Sequence, residues 1–480
     1  MINTAIKQLV TYGIENNLIN KRDINYITNK ILETLGINEY TEPSEEFQNV
    51  SLDDTLNTII DFAVKNDLTE NSKQSTELLK SRIMDALLPM PHEINDNFKK
   101  LYRISPKKAT NWFYEFSKAS ASVDIHKALK NIKWAVSTKY GKLDLCIDLN
   151  KDCNEEKRKY PECPYCHNNE GFFNKSNLRM IPITLNKEDW MFWYSGDGYY
   201  NEQCIASSPQ HKYTGLDVDT FTKLFEFLNI FPHYWIGADS NLPFADSYKP
   251  EHEAFLGGNY ELAVARADVE KYFQIKRFED VQVGIVNWPM PVIRIRYNDY
   301  KKIVKLADYI SGSWKVYRDD SIGLIEVSGT EPSNAIVPVA RKIGDLYEID
   351  LFLRNNVKNP QKPLGVYHTD EKYYHIKKEH LSVIDIAGML ILPAKLNEEL
   401  KLLAEKILEG EDLRTDERTA KHSAWVEKFI VEYDDISGDN IMEILQHEIG
   451  RSYVDMMESA AVFKRNETGK QAFERFISGL

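Results

Sequence analysis

Glu162-Cys163-Pro164-Tyr165-Cys166-His167 sets two thiols two residues apart, and about ninety residues later stands Glu251-His252-Glu253-Ala254-Phe255-Leu256-Gly257-Gly258. A C-x-x-C turn offers two thiolates from one bend, the bite that grips a tetrahedral metal. Two loop cysteines without a metal have the same spacing, and no second cysteine pair follows to decide between the readings. A thioredoxin-like redox pair fits less well, because Pro164-Tyr165 does not lie between an early strand and a helix. Further ligands must come from the 11 histidines. His211 follows a strand-like run, and His252 stands just before Gly257-Gly258. His167 would have to fold back to share a metal with Cys166. His92, His126, His422 and His447 lie in helical or charged contexts and are expected at the surface.

Outward from these segments the periodicity changes twice. Residues 1–132 carry helical stripes: Ile2, Ala5, Ile6, Leu9 and Val10; Ile24, Ile27, Ile31 and Leu35; Leu56, Ile59, Ile60 and Ala63. Ser51 to Asp54 resembles a capping box, and Ser105-Pro106 reads as a cap followed by a first-turn proline. From Trp134 the pattern is mixed. Leu143, Leu145, Ile147 and Leu149 alternate with polar residues after the Tyr140-Gly141 turn, as a strand does. Short strands are predicted at 180–185, 191–194, 204–206, 234–237, 292–297, 324–327, 336–339 and 347–353, with helices around Leu224 and Leu306. The charged stretch 148–160 reads as a loop. Beyond Asn397 the chain returns to helices. The predicted organisation is a helical region 1–132, an α+β core 133–395 and a helical region 396–480.

Composition narrows the function. The 480 residues hold 60 basic and 73 acidic side chains, a net charge of -13. That balance excludes a general nucleic-acid binder and leaves room for a local phosphate pocket. Five cysteines in so long a chain argue against a disulfide scaffold and for a reducing compartment. Met1 to Val10 is too polar for a secretory core, and no apolar run reaches membrane-spanning length. A soluble cytoplasmic protein is expected.

Several segments resemble the type II galactose-1-phosphate uridylyltransferases, within the histidine-triad-like transferases. They are Leu178-Arg179-Met180-Ile181-Pro182-Ile183-Thr184-Leu185, Tyr199-Tyr200-Asn201-Glu202-Gln203-Cys204-Ile205, Phe231-Pro232-His233-Tyr234-Trp235-Ile236-Gly237, Asn287-Trp288-Pro289-Met290, Asp350-Leu351-Phe352-Leu353-Arg354-Asn355-Asn356 and His375-Ile376-Lys377-Lys378-Glu379. Their order and spacing run over most of the chain. The resemblance implies a central antiparallel sheet with surrounding helices, and a homodimer. It implies nucleotide-sugar and sugar-phosphate ligands, and uridylyl transfer by double displacement through a histidine nucleophile.

Carried over residue by residue, the resemblance splits. Cys163, Cys166, His211 and His252 match the ligand positions of a structural zinc. Ala254 stands where the family has its nucleophile, and Leu256 where it has the glutamine that steadies the phosphoryl oxygens. Asn241-Leu242-Pro243-Phe244-Ala245-Asp246-Ser247-Tyr248 replaces a glycine-rich run. Asn201 and Asn241 match nucleotide-contacting positions. Arg179, Arg294, Arg296 and Arg341 suit phosphate by chemistry, but a surface or structural ion-pair role is the expectation for each. Asp246, Glu251 and Glu253 either repel a pyrophosphate or are simply solvated. His368, His375 and His380 form a second cluster that reads as a site or as a solvated face. Two functions therefore stand side by side. One is a transferase that has lost or altered its double displacement. The other is a non-catalytic, zinc-stabilised protein that binds a nucleotide sugar or sugar phosphate.

Overall fold

Helical stripes and strand alternation sort the chain into its elements in a computed structural model, which describes residues 1–150, 161, 163–173, 175–239, 252–324 and 333–480. In chain order the strands are β1 (Ile132–Thr138), β2 (Gly141–Asp148), β3 (Ile181–Leu185), β4 (Glu188–Tyr194), β5 (Cys204–Ser207), β6 (Trp235–Gly237), β7 (Ala254–Gly258), β8 (Val269–Phe273), β9 (Gln282–Val286), β10 (Val292–Tyr297), β11 (Asn334–Ile343), β12 (Leu346–Asn355) and β13 (Met389–Pro393). Helices and antiparallel strands together make an α+β protein, the predicted class. The expected loop 151–160, Asn241, Asp246, Glu251 and the expected strand residues 325–327 lie outside the described residues. Two compact units emerge: Met1–Ile125 with Lys157–Gln210, and His126–Glu156 with His211–Leu480.

The first unit is mainly helical. Helix Ile2–Glu15 buries Ala5, Ile6, Leu9 and Val10, the face its spacing predicts. Helix Leu52–Lys65 begins at Ser51, whose side chain accepts from the Asp54 N–H. Helix Pro106–Ala119 begins differently: Pro106 occupies the first turn and Ser105 makes no capping bond. The fixed φ of proline starts that helix. Strands β3, β4 and β5 form an antiparallel meander, with Ile183 opposite Trp190 and Phe192 opposite Ala206. Phe113 packs on Phe192 and Tyr194 at ring distances of 6.0 and 5.4 Å. The Tyr194 hydroxyl donates to the Thr110 carbonyl at 2.9 Å, which fixes the helix on the meander.

The second unit has two sheets. β1 and β2 form a hairpin around Gly141, whose φ of +98° suits a residue without a side chain. β13 then joins β2 in parallel. Helix Ile441–Ala460 lies on β1, where the Trp134 indole donates to the Gln446 carbonyl at 3.1 Å. The larger sheet runs β7-β6-β11-β12-β10-β9-β8, and every neighbouring pair is antiparallel. Along β12, Glu348, Asp350, Phe352 and Arg354 point to one face, and Ile349, Leu351 and Leu353 to the other. Among the described residues no helix is long and apolar enough to cross a membrane.

Three arginines weighed as phosphate binders are held inside this sheet. Arg294 grips Asp350 with two bonds of 2.7 and 2.9 Å and donates to the Val264 and Ala267 carbonyls. Arg296 donates to Glu348 at 2.6 Å. Arg341 pairs with Glu348 and lies 2.9 Å from Asp350. Register explains the arrangement, since Arg294 sits opposite Asp350, and both Arg296 and Arg341 sit opposite Glu348. Glu348 and Asp350 are wholly buried, so each needs cationic neighbours to stay ionised. The ion-pair reading holds for all three arginines.

Candidate functional site

The cysteine turn is held by its own backbone and one asparagine. The Cys166 N–H donates to the Cys163 carbonyl at 3.4 Å, and the sulfurs lie 3.4 Å apart. Buried Asn169 donates its amide to the Cys163 carbonyl at 2.9 Å and the Cys166 carbonyl at 3.0 Å. Ser207, at the end of β5, donates its hydroxyl to the Tyr165 carbonyl at 2.9 Å. His167 does not fold back onto the sulfurs. Its Nε2 lies 3.2 Å from the Ser207 carbonyl. Burial and the neighbouring Cys166 sulfur push the Cys163 thiol up to about 12. Any cation bound here must therefore displace a proton.

His211 and His252 approach each other at a ring distance of 4.5 Å. The ligand atoms of Cys163, Cys166, His211 and His252 all lie within 4.8 Å of one another. Cys166 and His252 are buried, and His211 is exposed. Two sulfurs and two imidazoles are the donor set that zinc favours, and zinc–sulfur bonds of about 2.3 Å span such a group. These residues fit a closed, four-coordinate metal.

β7 carries the two positions singled out for chemistry. Ala254 and Leu256 share one half-buried face of the strand, while Phe255 between them is buried on the other. Leu256 lies opposite Gly237 in β6. A side-chain carbon at Gly237 would come within 2.8 Å of the Pro338 carbonyl, so the backbones of β6 and β11 meet closely there. Beside Ala254, Glu253 is only 2% exposed. It pairs with Lys223 at 2.9 Å, and Lys212 lies 3.5 Å away. Neither solvation nor repulsion describes Glu253. Its charge is answered inside the unit, a partner invisible in the sequence because Lys223 lies thirty residues upstream on helix Val218–Ile230.

The remaining positions scatter. Arg179 is buried, and all three of its nitrogens are engaged. Nη2 pairs with Asp85 at 2.8 Å, Nε donates to Pro89, and Nη1 donates to the Ser176 and Leu178 carbonyls. Asn201 is exposed in a turn. His422 is fully buried rather than at the surface, because its Nε2 bonds Glu399 at 3.1 Å. The sequence also gave no special weight to Arg354. This residue is 3% exposed, and burial pulls its pKa down to about 10 against the opposing fields of Asp239 and Asp385. It lines a small cavity with Asn356, His368, Thr369 and His380. Its place in a strand that alternates Glu348, Asp350 and Arg354 on one face was the available signal.

Comparison with known proteins gives one consistent result. The family model for "Galactose-1-phosphate uridyl transferase, N-terminal domain" matches residues 17–153, and that for the C-terminal domain matches residues 228–427. A galactose-1-phosphate uridylyltransferase of Clostridium acetobutylicum is 36% identical, with 100% of each chain covered. A protein of the same name from Fusobacterium nucleatum is 35% identical over 99% of this chain and 98% of its own. One from Bacillus subtilis is 34% identical over 99% and 97%.

Proposed function

This chain belongs to the galactose-1-phosphate uridyl transferase family, and from that premise we propose that it binds a nucleotide sugar or sugar phosphate without forming a uridylyl-enzyme. The observation that carries the reading is the shared face of Ala254 and Leu256 on β7. A methyl group cannot attack phosphorus, and an isobutyl group cannot donate to phosphoryl oxygens. Losing an enzyme nucleophile removes about four to six orders of magnitude of rate. In this reading Cys163, Cys166, His211 and His252 hold a zinc ion whose four positions are filled by protein, so its part is structural. Asn201 and Asn241 are carried over as nucleotide contacts. Arg179 serves through Asp85 as a support of its own unit. A cytoplasmic homodimer is the proposed setting.

Rapid-quench labelling with a radioactive nucleotide sugar tests the chemistry, and no protein-bound label is expected. Calorimetry with nucleotide sugars and hexose 1-phosphates tests binding, which is expected without turnover. Label retained on the chain would sink the proposal. Turnover without label would replace it with a transferase working by direct displacement. Ala254→His combined with Leu256→Gln is expected to restore label if the rest of the pocket is intact.

A further inference from the structure

One corner of the first unit concentrates positive charge. Helix Pro91–Tyr102 and helix Pro106–Ala119 are joined by three residues, and Lys99, Lys100, Arg103, Lys107 and Lys108 stand around the joint. No acidic residue occurs between Asp96 and Glu115. All five cations are exposed, and the side chain of none makes an ion pair or hydrogen bond among the described residues.

The joint itself is ordered. The Arg103 N–H donates to the Lys99 carbonyl at 3.2 Å, and the Ile104 and Ser105 N–H groups donate to the Leu101 carbonyl at 2.9 and 3.0 Å. Phe98 meets Phe113 edge-on at a ring distance of 6.0 Å, which ties the two helices together behind the joint. Ile104 is therefore held in place among the cations, and 62% of its surface meets solvent. Part of the charge has a local explanation. Lys99 and Lys100 end a helix, where cations suit the negative pole. Lys107 and Lys108 have no such explanation. They open helix Pro106–Ala119, whose first turn holds no acidic residue, and so stand at its positive pole. Two cations there work against the fold, and departures of this kind from local preference mark functional surfaces.

The arrangement indicates the partner. Cations ringed about one projecting aliphatic side chain suit a layered surface, with phosphate outside and hydrocarbon beneath. A soluble polyanion answers the charge and leaves Ile104 in water. The net charge of -13 does not oppose the encounter at long range. Exposed charges more than about 8 Å away are largely screened at physiological salt.

We propose that this corner docks reversibly on an anionic phospholipid bilayer, with the five cations at the phosphate layer and Ile104 dipping below it. The contact is peripheral, since among the described residues no helix is long and apolar enough to cross a bilayer. It does not depend on the nucleotide-sugar reading and uses none of the residues near Ala254. Co-sedimentation of the full chain with vesicles tests it, using phosphatidylcholine alone and phosphatidylcholine with one-third phosphatidylglycerol. Binding is expected to the mixed vesicles only, and should vanish at about 0.5 M salt, where screening is nearly complete. Each cation at a charged surface is worth about fivefold, so Lys107→Glu with Lys108→Glu should lower binding by at least about 25-fold. Ile104→Ser keeps the charge and should lower binding by about five- to tenfold. Both variants alter exposed side chains, and thermal melts matching the native chain confirm their fold. Polyuridylate and polyglutamate at equal charge distinguish a nucleic acid and an acidic protein from a membrane. No co-sedimentation with the mixed vesicles at low salt overturns the proposal. Binding that either folded variant leaves unchanged, or displacement of the vesicles by either polymer, overturns it equally.

Discussion

Glu253 keeps a carboxylate almost wholly out of water, and two lysines answer it. Lys223 is as deeply buried as its partner, so Lys223→Met leaves a charge that water cannot reach. Lys212 still stands 3.5 Å from the carboxylate, so the expected cost is about 1–3 kcal/mol, read from urea unfolding. Adding Glu253→Gln should return most of that loss, since the pair acts as one unit. His375 gives a pH-dependent prediction. Its folded pKa is depressed to about 3 from an ordinary 6.5, so only the unfolded chain takes up this proton between those values. Stability is therefore lost as pH falls from 6.5 toward 3, with a slope approaching about 1.4 kcal/mol per pH unit from this one group. Denaturation series for the native chain and His375→Leu should diverge in that window, the variant falling less steeply. A parallel course for both would remove His375 as the cause. Residue chemistry was partly legible beforehand. The Cys163, Cys166, His211 and His252 donors were readable from side-chain type and family spacing. The burial of His422 was not, because its charged neighbours Lys421 and Glu427 suggest a wet surface and Glu399 lies on another helix.

Elements were more legible than their partners. Alternation gave β2, β10 and much of β11 and β12, and apolar stripes gave the first helices. β7 escaped strand assignment because Gly257-Gly258 reads as a turn when its neighbours are unknown. Only the pairing with β6, where Gly257 lies opposite Ile236 and Gly258 opposite Trp235, reveals the strand. The arginines of β10 and β11 were equally ambiguous, because their carboxylates arrive later, on β12. Gly237→Ala probes this arrangement. Its added methyl meets the Pro338 carbonyl at 2.8 Å, a backbone atom that cannot swing aside. The expected loss is about 1–3 kcal/mol, with faster amide exchange across residues 254–258. An unchanged melting curve would show that β6 has slack there.

For the whole molecule, the metal-ligand set gives the most direct test. Elemental analysis is expected to find about one zinc per chain, lost in Cys163→Ser and His252→Ala. Chelator-stripped protein should melt lower by more than the roughly 2–4 °C that 1 kcal/mol is worth in a large domain. Metal-free protein with an unaltered melt would leave the cysteines as ordinary loop residues. The make-up of each unit from two separated stretches left no mark in composition, since no linker or repeat announces an excursion and a return. One such return has a consequence for biosynthesis. β2 takes β13 as its parallel neighbour, yet roughly half the chain is translated between them. Until the ribosome delivers that late strand, one flank of β2 has no backbone groups to pair with. The nascent polypeptide must wait with a sticky rim, where cellular holdases would be expected to attach.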